Sequence, residues 1–178
     1  MPIAHMMTFV AETEAEAVAD VQAWFRDSPM SKIPGLERLD TYLPESSNDP
    51  YLDDGYGPAI MVQGVYPDPQ ALRVAFASDA FKASIESIPP NSALTHDAMS
   101  MHFYPVEGEQ QPAEWTAPVS YVVRYHRPAE DEQAFIDYYV GHHPQMLGRF
   151  AGIRNVMCYL PIEWDDPTGL PRADYLLG

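Results

Sequence analysis

Two kinds of hydrophobic pattern alternate along the chain: short apolar runs bounded by turn residues, and longer stretches with apolar positions at helical spacing. Residues 3–10 are apolar and end at an acidic run, which predicts a strand. Residues 13–25 carry Ala15, Val18, Val21 and Phe25 at helical spacing, with Thr13 and Glu16 set as a capping box. Residues 36–43 alternate and are closed by Pro44, a second strand, and a polar loop occupies 45–58. A third strand over 59–65, a helix over 68–88 entered at Pro69, and a fourth strand over 98–104 complete the set. The series then restarts with a strand over 119–125, a helix over 130–140, a strand over 153–160 and the beginning of another over 174–177.

The restart is an internal repeat. Gly35 and the triplet Tyr42-Leu43-Pro44 recur 117 residues on as Gly152 and Tyr159-Leu160-Pro161, and Asp49-Pro50 recurs as Asp166-Pro167 at that spacing. Upstream, Asp27-Ser28-Pro29-Met30 faces His142-His143-Pro144-Gln145-Met146, one insertion apart. The order βαββαβ, with helices crossing one face of an antiparallel sheet, is the ferredoxin-like arrangement. The expected fold is therefore α+β, with two such repeats stacked sheet to sheet as a barrel within one chain. The first repeat spans 1–112 and the second 113–178. The second stops about one helix and one strand short, which we read as truncation, with completion by a partner chain as the alternative. Tyr121, Val123 and Tyr125 alternate with Val122 and Arg124, so the strands need cover on both faces. A sheet-to-sheet stack supplies that cover, and the space between the sheets is expected to be a pocket for a small apolar ligand, with a barrel filled by these side chains as the alternative.

Composition narrows the partners. The 178 residues carry 26 acidic and 10 basic side chains, a formal charge of −16. Nucleic-acid binding needs clustered Lys and Arg, and anionic lipid repels such a chain, so neither is an expected partner. A single cysteine, Cys158, cannot build an internal disulfide framework and fits a reducing compartment. With no long apolar stretch and no leader-like N-terminus, a cytoplasmic protein is expected.

The densest polar-aromatic cluster is Phe135-Ile136-Asp137-Tyr138-Tyr139-Val140-Gly141-His142-His143-Pro144. Phe135, Tyr138, Tyr139 and His142 share one helical face, expected to look inward, with His143 just past the helix end. Imidazoles titrate near neutrality, so His142 and His143 are the candidate catalytic acid–base pair. The matching turn of the first repeat holds no imidazole, which places any chemistry in the second. His5, His102 and Arg124 fall on strands, His126 just beyond one, and His96 in a loop. Arg38 and Asp40 share a strand face whose side depends on register. No metal-ligand spacing, phosphate-binding glycine loop or nucleophile elbow occurs, so neither a metal nor a cofactor is expected. Cys158 reads as core. The acidic runs 12–20 and 130–132 lie at helix N-termini, where negative charge is favourable without any catalytic role.

Tyr125-His126-Arg127, Phe135, Tyr138-Tyr139, His142-His143-Pro144 and Gly152-Ile153-Arg154 together resemble the EthD domain of the dimeric α+β barrel superfamily. The tight resemblance covers 119–161; the first repeat follows it in outline only. It implies a small apolar or phenolic ligand, with His142 and His143 at its polar end. Tyr138, Tyr139, Tyr125, Arg124, Phe135 and His102 are the implied substrate-binding residues. It further implies a cofactor-independent lyase of the decarboxylase type, or a cofactor-free monooxygenase, on aromatic or polyketide-like substrates. A non-catalytic carrier of apolar metabolites is the reading from a different class, and heme binding a remote third. Members of the family dimerise through their sheets, so a homodimer is the implied assembly unless the tandem copy replaces it.

Overall fold

In the computed structural model, residues 1–11, 15–45, 58–89, 92–108 and 119–178 are described. The chain divides into two bodies: Pro2–Ala98 with Trp164–Arg172, and Met99–Glu163 with Met1 and Ala173–Gly178. It is a mixed α+β protein with antiparallel pairing in both.

The first body runs β1 (Ile3–Ala11), α1 (Ala15–Asp27), a 3-10 turn (Pro29–Lys32), β2 (Arg38–Tyr42), β3 (Ile60–Tyr66), α2 (Pro69–Ala77), α3 (Asp79–Glu86) and the start of β4 (Ser92–Tyr104). Its strands lie in the order β2-β3-β1-β4, the split β-α-β connectivity. Register pairs His5 with Gly64 and Met6 with Gln63 across β1 and β3, and Asp40 with Gln63 across β2 and β3. Every residue of β3 is buried, so both sheet faces are covered there, as the apolar runs require. Phe9, Trp24, Leu72, Phe76 and Phe81 are among the buried side chains of this body.

Several boundaries depart from the sequence reading. The helix expected over 68–88 is two helices broken at Ser78, which is extended at φ −73°, ψ 149°. Its hydroxyl donates to the Ala75 carbonyl (2.6 Å) and accepts from the Phe81 amide (3.2 Å), closing one helix and capping the next. Helix α2 is entered at Pro69 as expected, and Asp68 caps it by accepting from the Ala71 amide at 2.8 Å. Strand β4 begins at Ser92 rather than 98, so His96 stands on a buried strand and not in a loop. The Thr13–Glu16 capping box and most of the 45–58 loop lie outside the described residues.

The second body holds the end of β4, β5 (Tyr125–His126), α4 (Glu132–Leu147), β6 (Val156–Pro161) and β7 (Tyr175–Leu177). β4 pairs with β6 in the register Met101 to Tyr159 and His102 to Cys158, and β5 pairs with β7. Tyr159 exchanges both backbone bonds with Gly178, at 2.8 and 3.0 Å. The strand expected over 119–125 reduces to Tyr125–His126. Among the described residues, 119–124 pair with no neighbouring strand, and Val119 is 75% and Tyr121 86% exposed. His126 consequently lies within a strand rather than beyond one.

Helix α4 runs about two turns past its expected end at 140 and contains Pro144. A proline removes one hydrogen bond from a helix interior; here its ring is buried, and the helix continues to Leu147. His143 therefore sits inside the helix, as His142 does, instead of just past its end. The first-repeat counterpart, Ser28-Pro29, starts a 3-10 turn, so the two segments adopt different local structures.

Candidate functional site

Asp131 starts α4 by accepting from the Ala134 amide at 2.9 Å, and this sets the phase of the helix. The face turned inward is one residue on from the expected one. Phe135, Ile136, Tyr139, Val140 and His143 are half-buried and Pro144 is buried, while Tyr138 is 63% exposed and His142 is also exposed. The stripe 136-139/140-143/144-147 follows the helical period, and the histidine it carries is His143, not His142.

Two rings anchor this face. Tyr125, on β5, packs edge-on against Phe135 (5.1 Å) and Tyr139 (5.3 Å). Tyr139 in turn lies face to face with His143, centroids 4.3 Å apart and planes 1° from parallel. Burial pushes the Tyr139 phenol above its ordinary range, and the Tyr125 phenol beside it adds to the shift. The Nδ1 of His143 is buried and has no hydrogen-bond partner. A buried polar atom left unpaired costs about 1–3 kcal/mol. His142 differs: its Nδ1–H donates to the Tyr138 carbonyl at 2.8 Å, and its ring stacks on Tyr138 at 4.5 Å, on the solvent side.

The remaining expected site residues fall in other groups of the same body. Arg124 donates to the Tyr175 hydroxyl at 2.8 Å, with its guanidinium 5.4 Å above that ring. Beside it, Arg127 joins Glu132 (3.0 Å) and Asp174 (2.9 Å). His102 Nε2 and Ser100 Oγ lie 3.0 Å apart, while the Ser100 hydroxyl also reaches the Leu160 carbonyl at 3.2 Å. One hydroxyl proton cannot serve both, so the serine donates to Leu160 and accepts from His102 Nε2–H. Cys158 is buried, and burial pushes its thiol up to about 11, which fits a core residue rather than a nucleophile. A depression of about 340 Å³ is lined by Glu107 and residues 149–154 and by none of the expected site residues.

In the first body the structure assembles residues the sequence reading left scattered. His5 Nε2 lies 3.0 Å from His96 Nδ1, and His96 Nε2 lies 3.0 Å from Asp166 Oδ2. Both histidines are 1% exposed. Asp166 is fixed by Thr168, whose hydroxyl (2.6 Å) and amide (2.9 Å) both donate to Oδ1. Trp164 was not singled out from the sequence, and Asp166 only as part of the repeat. The pattern places His5 on a strand but His96 in a loop, so the sequence holds no signal that the two would meet. Arg38 and Asp40 pair at 2.7 Å on β2, with Gln63 reaching Asp40 at 3.4 Å.

No family model and no curated protein matches the chain. Among solved structures, it is similar to SnoaB of Streptomyces nogalater, described as a cofactor-independent oxygenase (16% identity, TM-score 0.42, 56% of this chain and 91% of that one). It is similar to an EthD-family protein of Bacillus halodurans (20% identity, TM-score 0.42, 54% and 96%). It is also similar to a dimeric ferredoxin-like protein of unknown function from Bacteroides fragilis (11% identity, TM-score 0.42, 55% and 93%). Likeness of this size decides nothing about activity. Among the described residues no helix is long and apolar enough to cross a membrane.

Proposed function

We propose that the protein binds a small aromatic molecule against α4 and acts on it without a cofactor, as a lyase of the decarboxylase type. The observation that carries this reading is the unpaired, buried Nδ1 of His143, on a ring held rigid by Tyr139. An imidazole fixed in this way can bind the oxygen of a phenolic acid or pass a proton to its ring carbon as carbon dioxide leaves. The electron pair of the broken C–C bond stays on that carbon, where the proton joins it, and the imidazole recovers its proton from water. Phe135, Tyr125 and Tyr139 offer aromatic edges and faces to the ligand ring. His142 is the outer member of the pair, and Arg124 and His102 are more remote polar groups of the same body.

Membership of the EthD family, and the tandem reading with units 1–112 and 113–178, belong to the same proposal. In their support, Gly35 and Gly152 both take positive φ, 75° and 87°, in the segments leading into β2 and β6. Those strands reach the repeated Tyr-Leu-Pro, at Tyr42 and at Tyr159. Two such units can stack as a pseudo-dimer within one chain, and a homodimer is the alternative assembly.

Exposure of His142 and Tyr138 favours the alternative, a carrier that binds without turnover. Carbon dioxide release from a panel of hydroxybenzoic acids separates the two. The enzyme reading expects release, reduced about 100-fold in His143→Gln and much less in His142→Gln. Binding without release supports the carrier. Undiminished release by His143→Gln overturns the assignment.

A further inference from the structure

The depression just past the end of α4 lies wholly in the second body, and Glu107, Arg149, Phe150, Ile153 and Arg154 are among the residues that line it. No residue of α4 itself lines it, so it stands apart from the His143 reading.

Its frame is held by backbone bonds. The Glu107 amide donates to the Gly148 carbonyl at 2.9 Å, next to the buried Val106. The Arg149 and Phe150 amides donate to the Met146 and Leu147 carbonyls at 3.2 and 3.0 Å, and the Ile153 amide to Phe150 at 3.2 Å. At Gly152 the backbone takes φ 87°, and a Cβ there would meet nothing within 4 Å, so the space beside this turn is open. The depression holds about 340 Å³, within the ~300–1,000 Å³ of small-molecule sites.

Cations are scarce in a chain with 10 basic and 26 acidic side chains. Arg38, Arg127 and Arg172 are paired with carboxylates. Among the described residues neither Arg149 nor Arg154 is, although Glu107 lines the same depression. Helix capping does not claim them either, because the Met146, Leu147 and Gly148 carbonyls each already accept a backbone amide. The dipole of α4 favours a cation at Arg149, but its reach ends within the last turn, short of Arg154.

Two guanidinium groups against one carboxylate leave a single net positive charge, which matches a monoanion better than a dianion. A guanidinium is also a rigid fork that fits a carboxylate. Phe150 is 54% exposed and Ile153 half-buried, so apolar surface adjoins the charged groups. That surface suits the hydrocarbon body of an organic acid, and an inorganic anion would leave it unused.

We propose that this depression binds a small organic monocarboxylate. Arg149 and Arg154 hold the carboxylate, Phe150 and Ile153 contact the body, and Glu107 turns away anions of higher charge.

The test titrates benzoate into the whole chain labelled with ¹⁵N-arginine. It follows the Nε–H signals of Arg149 and Arg154, each assigned by its loss in the Arg→Gln variant. Both signals should move along one saturable curve. Arg149→Gln should raise the midpoint read at Arg154 about tenfold, through loss of one charge-assisted contact. Benzyl alcohol, the same ring without the charge, should move neither signal, and inorganic phosphate should need at least about tenfold higher concentration. A drift with benzoate that never saturates is the mark of independent surface arginines and overturns the site, as does an Arg154 midpoint unchanged in Arg149→Gln. Phosphate binding as tightly as benzoate overturns the carboxylate assignment. The parent titration decides even where a variant fails to fold. Benzoate bound only against α4 would leave both signals in place, which overturns this site without touching the His143 reading.

Discussion

At Ser78 one hydroxyl replaces a covalent stop signal. It accepts from Phe81 and donates to Ala75, so it satisfies a free amide of α3 and adds a second bond to the Ala75 carbonyl, which the Ser78 amide also reaches at 3.0 Å. Nothing in the run 68–88 announces this, because a serine between apolar positions at helical spacing reads as solvent-facing. The structure shows it as a hinge that lets Phe76 and Phe81 approach to 4.7 Å. Ser78→Ala should destabilise the protein by about 1 kcal/mol, the usual loss on removing a cap. That is a fall of roughly 2–4 °C in melting temperature for a chain of this size. A melting curve that superimposes on the parent would show that α2 and α3 are held by packing alone. Asp68-Pro69 is the opposite case: cap and proline are adjacent in sequence, the signal is local, and the start of α2 was legible from it.

Helix α4 shows how an element can be recognised while its phase and end are missed. The aromatic and apolar spacing over 130–140 announced a helix, but Pro144 read as a terminator because proline disfavours the helical conformation of the residue before it. Burial of the ring outweighs that preference, and α4 ends instead at Gly148, where a close approach sets the limit. A Cβ built on Gly148 would lie 2.5 Å from the Pro105 carbonyl oxygen, whereas at Gly141, inside the same helix, nothing lies within 4 Å. The two glycines should therefore respond in opposite directions. Gly141→Ala should stabilise by about 0.5–1 kcal/mol, through lower backbone entropy in the unfolded chain. Gly148→Ala should destabilise by about 1–3 kcal/mol, as overpacking against a backbone atom does. Urea midpoints of the two variants against the parent check both signs. Equal shifts would mean that the helix end is free to move away from Pro105.

At the scale of the whole molecule, legibility follows sequence separation. The apolar runs that became β1 and β3, and their covered faces, depend on nearest neighbours and pattern. The buried chain of His5, His96 and Asp166 joins residues 91 and 70 positions apart, so no window along the sequence could hold it. That chain gives the protein a pH signature distinct from that of its acidic surface. Burial lowers the His5 pKa to about 3, the nearby His96 adding to the effect; burial also lowers His96, against the opposing pull of Asp166. In the unfolded chain both titrate near 6.5. Folding therefore favours the neutral forms, and stability is complete above about pH 6.5 and lost as the pH falls below it. The carboxyl of Asp166, held below its ordinary value, adds a further loss only once the pH falls below the carboxylate range. Between pH 6.5 and 5 few carboxylates change charge, so the formal charge of −16 contributes little to the slope and the histidines dominate it. Each histidine that is protonated only in the unfolded state lowers the unfolding free energy by about 1.4 kcal/mol per pH unit. The urea midpoint should accordingly fall steadily from pH 7 to pH 5. Replacing His5 by Gln should remove about one proton's share of that slope, even where the variant starts out less stable. A midpoint flat across this interval in the parent would mean that His5 and His96 take up protons as readily folded as unfolded, which a dry, neutral histidine pair cannot do.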